Sequence, residues 1–420
     1  MQNIYKRYSS NYITKKNKST DIKETKMGIK QLNHFLMENC TQKAIYKTSL
    51  KQFTNKIIVI DTSIYLYKFA EKNAVAENIY LMISVFRQYN IVPVFVFDGK
   101  PPAEKKALLI KRKIEKDTAE AKYNEIKNAI ESVFDSAGLM EDSTTKESLL
   151  LETGTTKDPL LSETGTTRES LLSDPSTTRE SLLSETGTTK DPLLSDPSTT
   201  RESLLLEMER LKKQFIRVTE ADIAKSKEIM TAYGVPYIES RGESDHLCAF
   251  LVKHGFAWAC LSDDMDMFLY GCPRVIRHLS LLNHEGVYYD TTQILYDLDM
   301  TQEVFNDIAI LSGTDYNMND QKSLSDTVRL YMRYREWVNY NSSRRNAGVK
   351  AFYDWLIEST DYIDDLDSLK RIRVMFDLNL FLETNKEEFK DVIDKMPFQL
   401  CDVNIQELMH VLNEDGFIFA

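Results

Sequence analysis

The stretch Ile57–Phe69, IIVIDTSIYLYKF, decides the fold. Its apolar, β-branched run Ile57–Ile60 predicts a buried strand, and Asp61 stands at the strand end, ahead of a small polar turn and an aromatic-rich helix start. A strand that ends on a carboxylate carries it to the edge where open α/β sheets bind their ligands. The pattern returns twice: Val94–Phe97 ends on Asp98, and Ala257–Leu261 leads to Asp264 and Asp266. Three strands thus aim acidic residues at one rim.

Outward from that stretch, helical and strand patterns alternate in the βαβ rhythm of a mostly parallel sheet flanked by helices. An amphipathic opening from Met27 precedes the Ile57 strand. A helix through about Gln88 and a long charged helix over Pro102–Ala137 bracket the strand before Asp98. That charged helix starts with Lys105, Lys106, Lys111 and Arg112; taken alone it is equally a solvated face. Further on, Lys212–Ser240 reads as a helix ending at Gly234 and a short strand Val235–Ile238. In GESDHLCAFLVKHG (242–255), Glu243 lies one turn before Leu247 on the apolar face of the next helix. A carboxylate at a helix start also complements the helix dipole, so capping alone would account for Glu243 and Asp245. A strand Arg274–Leu279 and the helix EVFNDIAILSG (303–313) then lead to Asp315. The remainder is acidic and helical.

Two segments stand apart. Residues 1–26 are polar and basic, with no acid before Asp21, and read as a disordered extension; a transit peptide and a second start at Met27 are the alternatives. Between Thr144 and about Glu207 run six near-copies of an eleven-residue unit, such as TTKDPLLSETG (155–165) and TTRESLLSDPS (166–176). Pro159, Pro175, Pro192 and Pro197 and the Gly-Thr-Thr joints interrupt any helix, so residues 138–206 are expected to form a disordered insertion.

The formal net charge of −11 over 420 residues argues against coating nucleic acid by bulk charge, which leaves local basic patches to make such contacts. The five cysteines show no zinc spacing, and Cys248 and Cys260 sit in apolar runs that read as core. No apolar run approaches the roughly 18 residues of a membrane span, so no membrane partner is expected.

Asp61, Asp98, Glu243, Asp245, Asp264, Asp266 and Asp315 are placed by strand ends and helix starts at one rim. Each added carboxylate makes the next harder to ionise, and divalent cations remove that cost. An all-oxygen set without His or Cys favours two Mg²⁺ ions, with Mn²⁺ as substitute. Two such ions about 4 Å apart serve phosphodiester hydrolysis.

MGIKQLNHFL (27–36), IVIDTSIYLYKF (58–69), VFVFDGKPPAEKK (94–106), YGVPYIESRGESDHLCAFLVKHG (233–255), LSDDMDMFLYGCPRVIRHL (261–279) and ILSGTDYN (310–317) resemble, in order, the motifs of the flap endonuclease/XPG family of structure-specific 5′ nucleases. NIQELMHVLNEDGF (404–417) is similar to the family's closing helix. The resemblance implies a PIN-like α/β domain with a helical arch and a C-terminal helical region. Its parts would be 27–137 with the first arch helix, 207–316 with the second, and 317–420 with a degenerate helix-turn-helix. It implies that Asp61, Asp98, Glu243, Asp245, Asp264, Asp266 and Asp315 hold the metals, with Asp245 where many relatives have Glu, and leaves out Asp263. Lys105 and Arg112 match the basic pair that contacts the scissile phosphate, Tyr67 the aromatic that stacks on a terminal base pair, and Gly28 a glycine near the active site; core packing is the other reading of Tyr67. After Asp315 the family's glycine-rich, phosphate-gripping turn is replaced by NMNDQKSLSDTVRLY (317–331), so the duplex grip is altered or lost; Arg329, Arg333, Arg335, Arg344 and Arg345 are alternative cations.

The implied function is Mg-dependent endonucleolytic cleavage of branched DNA at 5′ flaps or single-strand/duplex junctions, in replication, repair or recombination. A 5′ to 3′ exonuclease on the same fold and a catalytically weak DNA-binding adaptor are the rivals. A monomer is expected, without a sliding-clamp peptide, in the nucleus or at another site of DNA replication, a viral one included, ahead of the mitochondrion.

Overall fold

A computed structural model describes residues 29, 31–136, 197–317, 322–342, 351–396, 398–414 and 416–417. Two compact units form: Met1–Lys113 with Ile216–Ala420, and Ile114–Phe215.

The first unit is built on a seven-stranded sheet. In chain order, α1 (Leu32–Asn39), β1 (Ile45–Ser49), β2 (Ile57–Asp61), α2 (Thr62–Ala70), α3 (Val75–Gln88) and β3 (Val92–Phe97) lead to α4 (Lys106–Ser136). After α5 (Pro197–Lys212) come α6 (Glu220–Ala232), β4 (Tyr237–Glu239), α7 (Ser244–Lys253), β5 (Ala259–Leu261), α8 (Asp266–Leu269), β6 (Arg274–Ser280) and β7 (Glu285–Asp290). Helices α9 (Thr291–Leu298), α10 (Gln302–Ser312), α11 (Leu324–Ser342), α12 (Phe352–Ser359), α13 (Leu366–Met375), α14 (Leu378–Thr384), α15 (Lys386–Lys395) and α16 (Ile405–Glu414) complete the chain.

The strand order is β1-β7-β6-β5-β2-β3-β4. β6, β5, β2, β3 and β4 pair in parallel, and β7 and β1 add an antiparallel edge. From β2 the chain builds outward through β3 to β4, then returns to place β5 on the other side of β2. That reversal makes β2/β5 the topological switch point, beside whose carboxyl strand ends open α/β sheets bind their ligands.

Side-chain alternation gives the sheet two buried faces, as a parallel sheet requires. Val59, Val94, Val96, Cys260 and Val275 face one core, with α1, α7 and the helices α9 to α15. Ile58, Ile60, Phe95, Phe97, Leu261 and Ile276 face the other, with α2, α3, α6 and α16. Ile58, Val59 and Ile60 are fully buried, and each such side chain contributes about 1.5–3 kcal/mol. α3 buries Ala76, Ile79, Met82, Ile83 and Phe86 at three- and four-residue intervals, the stripe of an amphipathic helix.

In the second unit, α5 packs on the α4 segment beyond Lys113. Tyr123 and Phe215 meet edge-on at 5.3 Å, Ala119 and Leu211 are buried, and Glu207 pairs with Arg210 and Lys122.

Several expectations are corrected. The helix expected through Gln88 is two, interrupted where Asn73 takes φ 50°. The helix expected from Lys212 to Gly234 begins only at Glu220, because Thr219 and Asp222 form a reciprocal capping box. The expected insertion 138–206 is cut short, since Pro197–Leu206 belongs to α5. Pro197 does not interrupt that helix: as its first residue it needs no backbone donor. The rest of the repeats, the 1–26 extension, Gly28, Arg344 and Arg345 lie outside the described residues. The β6–β7 hairpin and β1 were not expected.

Candidate active site

Asp61 is the last residue of β2 and Asp98 follows β3 directly; Asp264 and Asp266 follow β5. Glu243 and Asp245 sit at the start of α7, and Asp315 lies in the turn after α10. All seven belong to the first unit. Each lies within electrostatic range of others: Asp61 of Asp98 and Asp264, Asp245 of Asp61, Asp264 and Asp98, and Asp266 of Asp264, Asp315 and Glu243.

Short polar side chains and backbone N–H groups join the strand ends. Ser262 Oγ donates to Asp61 Oδ2 at 2.9 Å, and Ser244 Oγ to Asp61 Oδ1 at 3.2 Å. The Ser244 N–H donates to Asp98 Oδ1 at 2.8 Å, tying the Asp98 loop to the start of α7. The Asp266 N–H donates to Asp264 Oδ1 at 2.9 Å, and the Asp264 N–H to Ser262 Oγ at 3.1 Å. Gly99 permits the close approach: its N–H donates to Gly242 O at 2.7 Å, and a Cβ there would stand 2.0 Å from Ser240 O. Gly99, Ser244 and Ser262 were not among the expected site residues. Ser244 and Ser262, each beside an acid at an element boundary, were the signal available.

Two basic residues enter the cluster. Lys105 Nζ is 2.6 Å from Glu243 Oε1 and 5.0 Å from the Tyr316 ring centroid, while Tyr316 Oη donates to Glu243 Oε2 at 2.9 Å. Arg112 Nη2 is 2.9 Å from Asp315 Oδ2. The two do not share one helix, since Lys105 closes a 3₁₀ turn (Ala103–Lys105) and only Arg112 lies on α4. Tyr67 is 41% exposed, so it is not core. Asp263 serves structure: its Oδ1 accepts from the His278 N–H at 2.7 Å, its carbonyl from Arg277 Nη2 at 2.7 Å, and its carboxylate pairs with Lys68.

Burial, and after it Asp98, pushes the Asp61 carboxyl up to about 7, against the pull of its two serine hydrogen bonds. Burial raises Asp245 and Asp266 well above the ordinary carboxylate range, with Asp61 and Asp264 respectively adding to it, and raises Asp264 as well. Burial alone would lower the Lys105 ammonium, but Tyr316, Asp245 and Glu243 outweigh it, and the amine stays charged.

The donor set fits hard divalent cations. It is all oxygen, its carboxyls resist ionisation without added positive charge, and buried Asp266 Oδ1 has no hydrogen-bond partner. Among the described residues no three acids close around one point. Lys105 and Arg112 take up oxygens of Glu243 and Asp315, leaving Asp61, Asp98, Asp245, Asp264 and Asp266 on the sheet side.

Family models match the chain over residues 27–119, the XPG N-terminal domain, and residues 234–315, the XPG I-region. Flap endonuclease 1 of Yarrowia lipolytica is 31% identical over 322 residues, covering 72% of this chain and 64% of that protein. Flap endonuclease 1 of Methanobrevibacter smithii is 41% identical over 97 residues, 23% of this chain and 30% of that protein. The chain thus spans less than two thirds of either relative. A protein described as a RAD2-like endonuclease, from Invertebrate iridescent virus 6, is 26% identical over 317 residues, 70% of this chain and 68% of that protein. The catalytic core of Rad2, solved in complex with DNA substrate, superposes with a TM-score of 0.50 at 16% identity, over 93% of this chain and 96% of that one, and shares the fold. The two matched regions, the N-terminal domain and the I-region of the XPG family, contain all seven acids together with Lys105 and Arg112.

Proposed function

We propose that the protein is a structure-specific DNA endonuclease that cleaves 5′ flaps or single-strand/duplex junctions by divalent-cation-dependent phosphodiester hydrolysis. The observation that carries this reading is the seven-acid rim at the switch point, in a chain matched by both XPG family models. Asp61, Asp98, Glu243, Asp245, Asp264, Asp266 and Asp315 would hold two Mg²⁺ ions. When bound, such ions supply charge neutralisation at the phosphate and an activated water.

The chain's own groups do the rest. Serine hydroxyls and backbone N–H groups hold the carboxylates of Asp61, Asp98 and Asp264 in place before any substrate arrives, so little reorganisation of these three is left for the reaction. Lys105 and Arg112 are cations within reach of the acid rim, and a scissile phosphate entering there would draw them from Glu243 and Asp315 to its non-bridging oxygens. Tyr67 presents an exposed ring on the helix that follows Asp61, positioned to stack on a terminal base pair at about 1–3 kcal/mol. We assign the work to a site of DNA replication or repair, with the chain acting as a monomer.

A cleavage assay on end-labelled 5′-flap, nicked, bubble and single-stranded DNA, with and without Mg²⁺, tests the proposal. Cation-dependent incision near the flap junction is expected. Stepwise release of nucleotides from a 5′ end would favour the exonuclease reading, and binding without cleavage the adaptor.

A further inference from the structure

Tyr316, the residue after Asp315, touches both members of the ion pair between Lys105 and Glu243. We infer that Tyr316 is a positioning residue for the reaction, acting through Lys105 and Glu243, and that Phe376 at the end of α13 holds its ring in place; the inference rests on the nuclease reading above.

Glu243 has both carboxylate oxygens taken, Oε1 by Lys105 Nζ at 2.6 Å and Oε2 by the Tyr316 hydroxyl at 2.9 Å. The same ammonium lies 5.0 Å from the centroid of the Tyr316 ring. One side chain thus meets the acid with its hydroxyl and the base with its ring. The division matters when the pair opens. A phosphate that draws Lys105 from Glu243 takes over a hydrogen bond, whereas the attraction of an ammonium to an aromatic ring consumes none and persists. Without it, the flexible four-carbon stem of a lysine is free to swing. Glu243, in turn, keeps the hydroxyl on Oε2 after Lys105 has left Oε1. The pair can therefore open without either partner losing its place.

A column of rings fixes Tyr316. Tyr316 meets Phe376 edge-on at 5.5 Å, and Phe376 packs on Tyr270 at 5.1 Å. Tyr270 packs on His246 of α7 at 4.6 Å, and His246 stacks on Phe381 of α14 at 4.1 Å. Phe376, Tyr270 and His246 are buried, and His246 Nε2 donates to Met375 O at 3.2 Å, which ties α7 to the end of α13. Aromatic pairs prefer particular offsets and tilts, so four successive contacts constrain the last ring more closely than aliphatic packing does. The loop backbone is pinned as well: Asn317 Oδ1 accepts from the Thr314 N–H at 2.9 Å and its hydroxyl at 2.7 Å, and the Tyr316 N–H donates to Thr314 Oγ1 at 3.2 Å. Helices α13 and α14 thereby reach the acid rim without supplying an acid to it.

The test combines single-turnover cleavage of flap DNA in Mg²⁺, equilibrium affinity for the same DNA in chelator, and the ε-CH₂ resonances of labelled lysine in the protein free of metal and DNA. Tyr316→Leu, which removes hydroxyl and ring together, should cut the rate about 10²-fold, as for a reacting group displaced by about 1 Å, with affinity within a few-fold. Tyr316→Phe keeps the ring and should cost about 10-fold, as should Phe376→Leu, which loosens it. Because Tyr316 acts through its neighbours, Tyr316→Leu added to Lys105→Ala should cost at most about 10-fold more, short of the further loss of about 10²-fold that an independent residue gives. The Lys105 signal, assigned by its loss in Lys105→Ala, should lie upfield of its position in Tyr316→Leu and stay there in Tyr316→Phe. A circular-dichroism melt checks folding; should either leucine variant melt early, Tyr316→Phe, whose ring stays packed, carries the test. Tyr316→Phe cutting at the wild-type rate, independent losses in the double variant, or a Lys105 signal unmoved by Tyr316→Leu would overturn the inference. Wild-type protein that cuts no DNA in Mg²⁺ would sink the nuclease reading and the inference with it, a failure told apart from the others by that control.

Discussion

The two sides of the acid rim are balanced by different means. On the sheet side, Asp61, Asp98 and Asp264 are held by serine hydroxyls and backbone N–H groups, which fix direction but bring no full positive charge. Burial there raises Asp61, Asp245, Asp264 and Asp266 above the ordinary range. Across from them, Glu243 and Asp315 are each met by a cation, Lys105 and Arg112. The difference teaches where outside charge must come from. The sheet side is rigid and short of positive charge, so it calls for divalent ions. The opposite side is already neutral, through residues that a substrate phosphate could recruit.

The largest effect that could break this comparison lies on the sheet side. Asp98→Ala and Asp264→Ala should each cut the cleavage rate about 10³-fold, corresponding to several kcal/mol of lost cation-dependent stabilisation, while flap-DNA affinity stays within a few-fold. Single-turnover rates and equilibrium binding on the same substrate check this; cleavage by either mutant near the wild-type rate would refute the metal-side assignment. Lys105→Ala or Arg112→Ala should cost less, about 10²-fold in single-turnover rate, as for loss of one preorganised charge contact. Those two variants should also bind divalent ions more tightly in the absence of DNA, because Glu243 or Asp315 loses its competing cation. Weaker binding would mean that the two sides are not balanced as described. The smallest effect concerns the repeats. Replacing residues 144–196 by a short Gly/Ser linker should leave the melting temperature nearly unchanged, since closure entropy grows by only about 0.6 kcal/mol per doubling of loop length. Extending the replacement through Leu206 should lower helix content, because it removes the first turns of α5.

The strand-end acids were legible because everything that places them is local: a β-branched run, a carboxylate at its end, a helix start beyond. The antiparallel edge was not, because β1 finds its partner in β7, Ile45 opposite Tyr289, and no pattern within either short strand announces the other. Lys105 and Arg112 both reach the acids, though not by the shared helical face expected of seven-residue spacing, since Lys105 precedes the helix. Their pairing with Glu243 and Asp315 depends on contacts across more than a hundred residues and could not be read in advance. The final repeat folds into α5 because TTRESLLLEMER (199–210) carries no proline or glycine, a local signal masked by its resemblance to the proline-broken copies before it.

The stability of the metal-free protein against pH tests the central claim most directly. A carboxyl whose folded pKa is raised, as that of Asp61 is to about 7, binds a proton in the folded state that the unfolded chain has released, so stability falls as pH rises through that range. Burial holds His246 and His278 at about 4, below the ordinary value of about 6.5, and their contribution is complete above that pH. Burial also lowers the Lys68 ammonium to about 8, which makes stability rise with pH as that value is approached, so the acid rim sets the slope between about pH 6.5 and about pH 7.5. The melting temperature in chelator should fall across this window. Millimolar Mg²⁺ should abolish the fall, and Asp61→Asn should lessen it without Mg²⁺. A metal-free melting temperature that is flat or rising over the same window and unmoved by Mg²⁺ would contradict a charge-deficient, cation-binding rim.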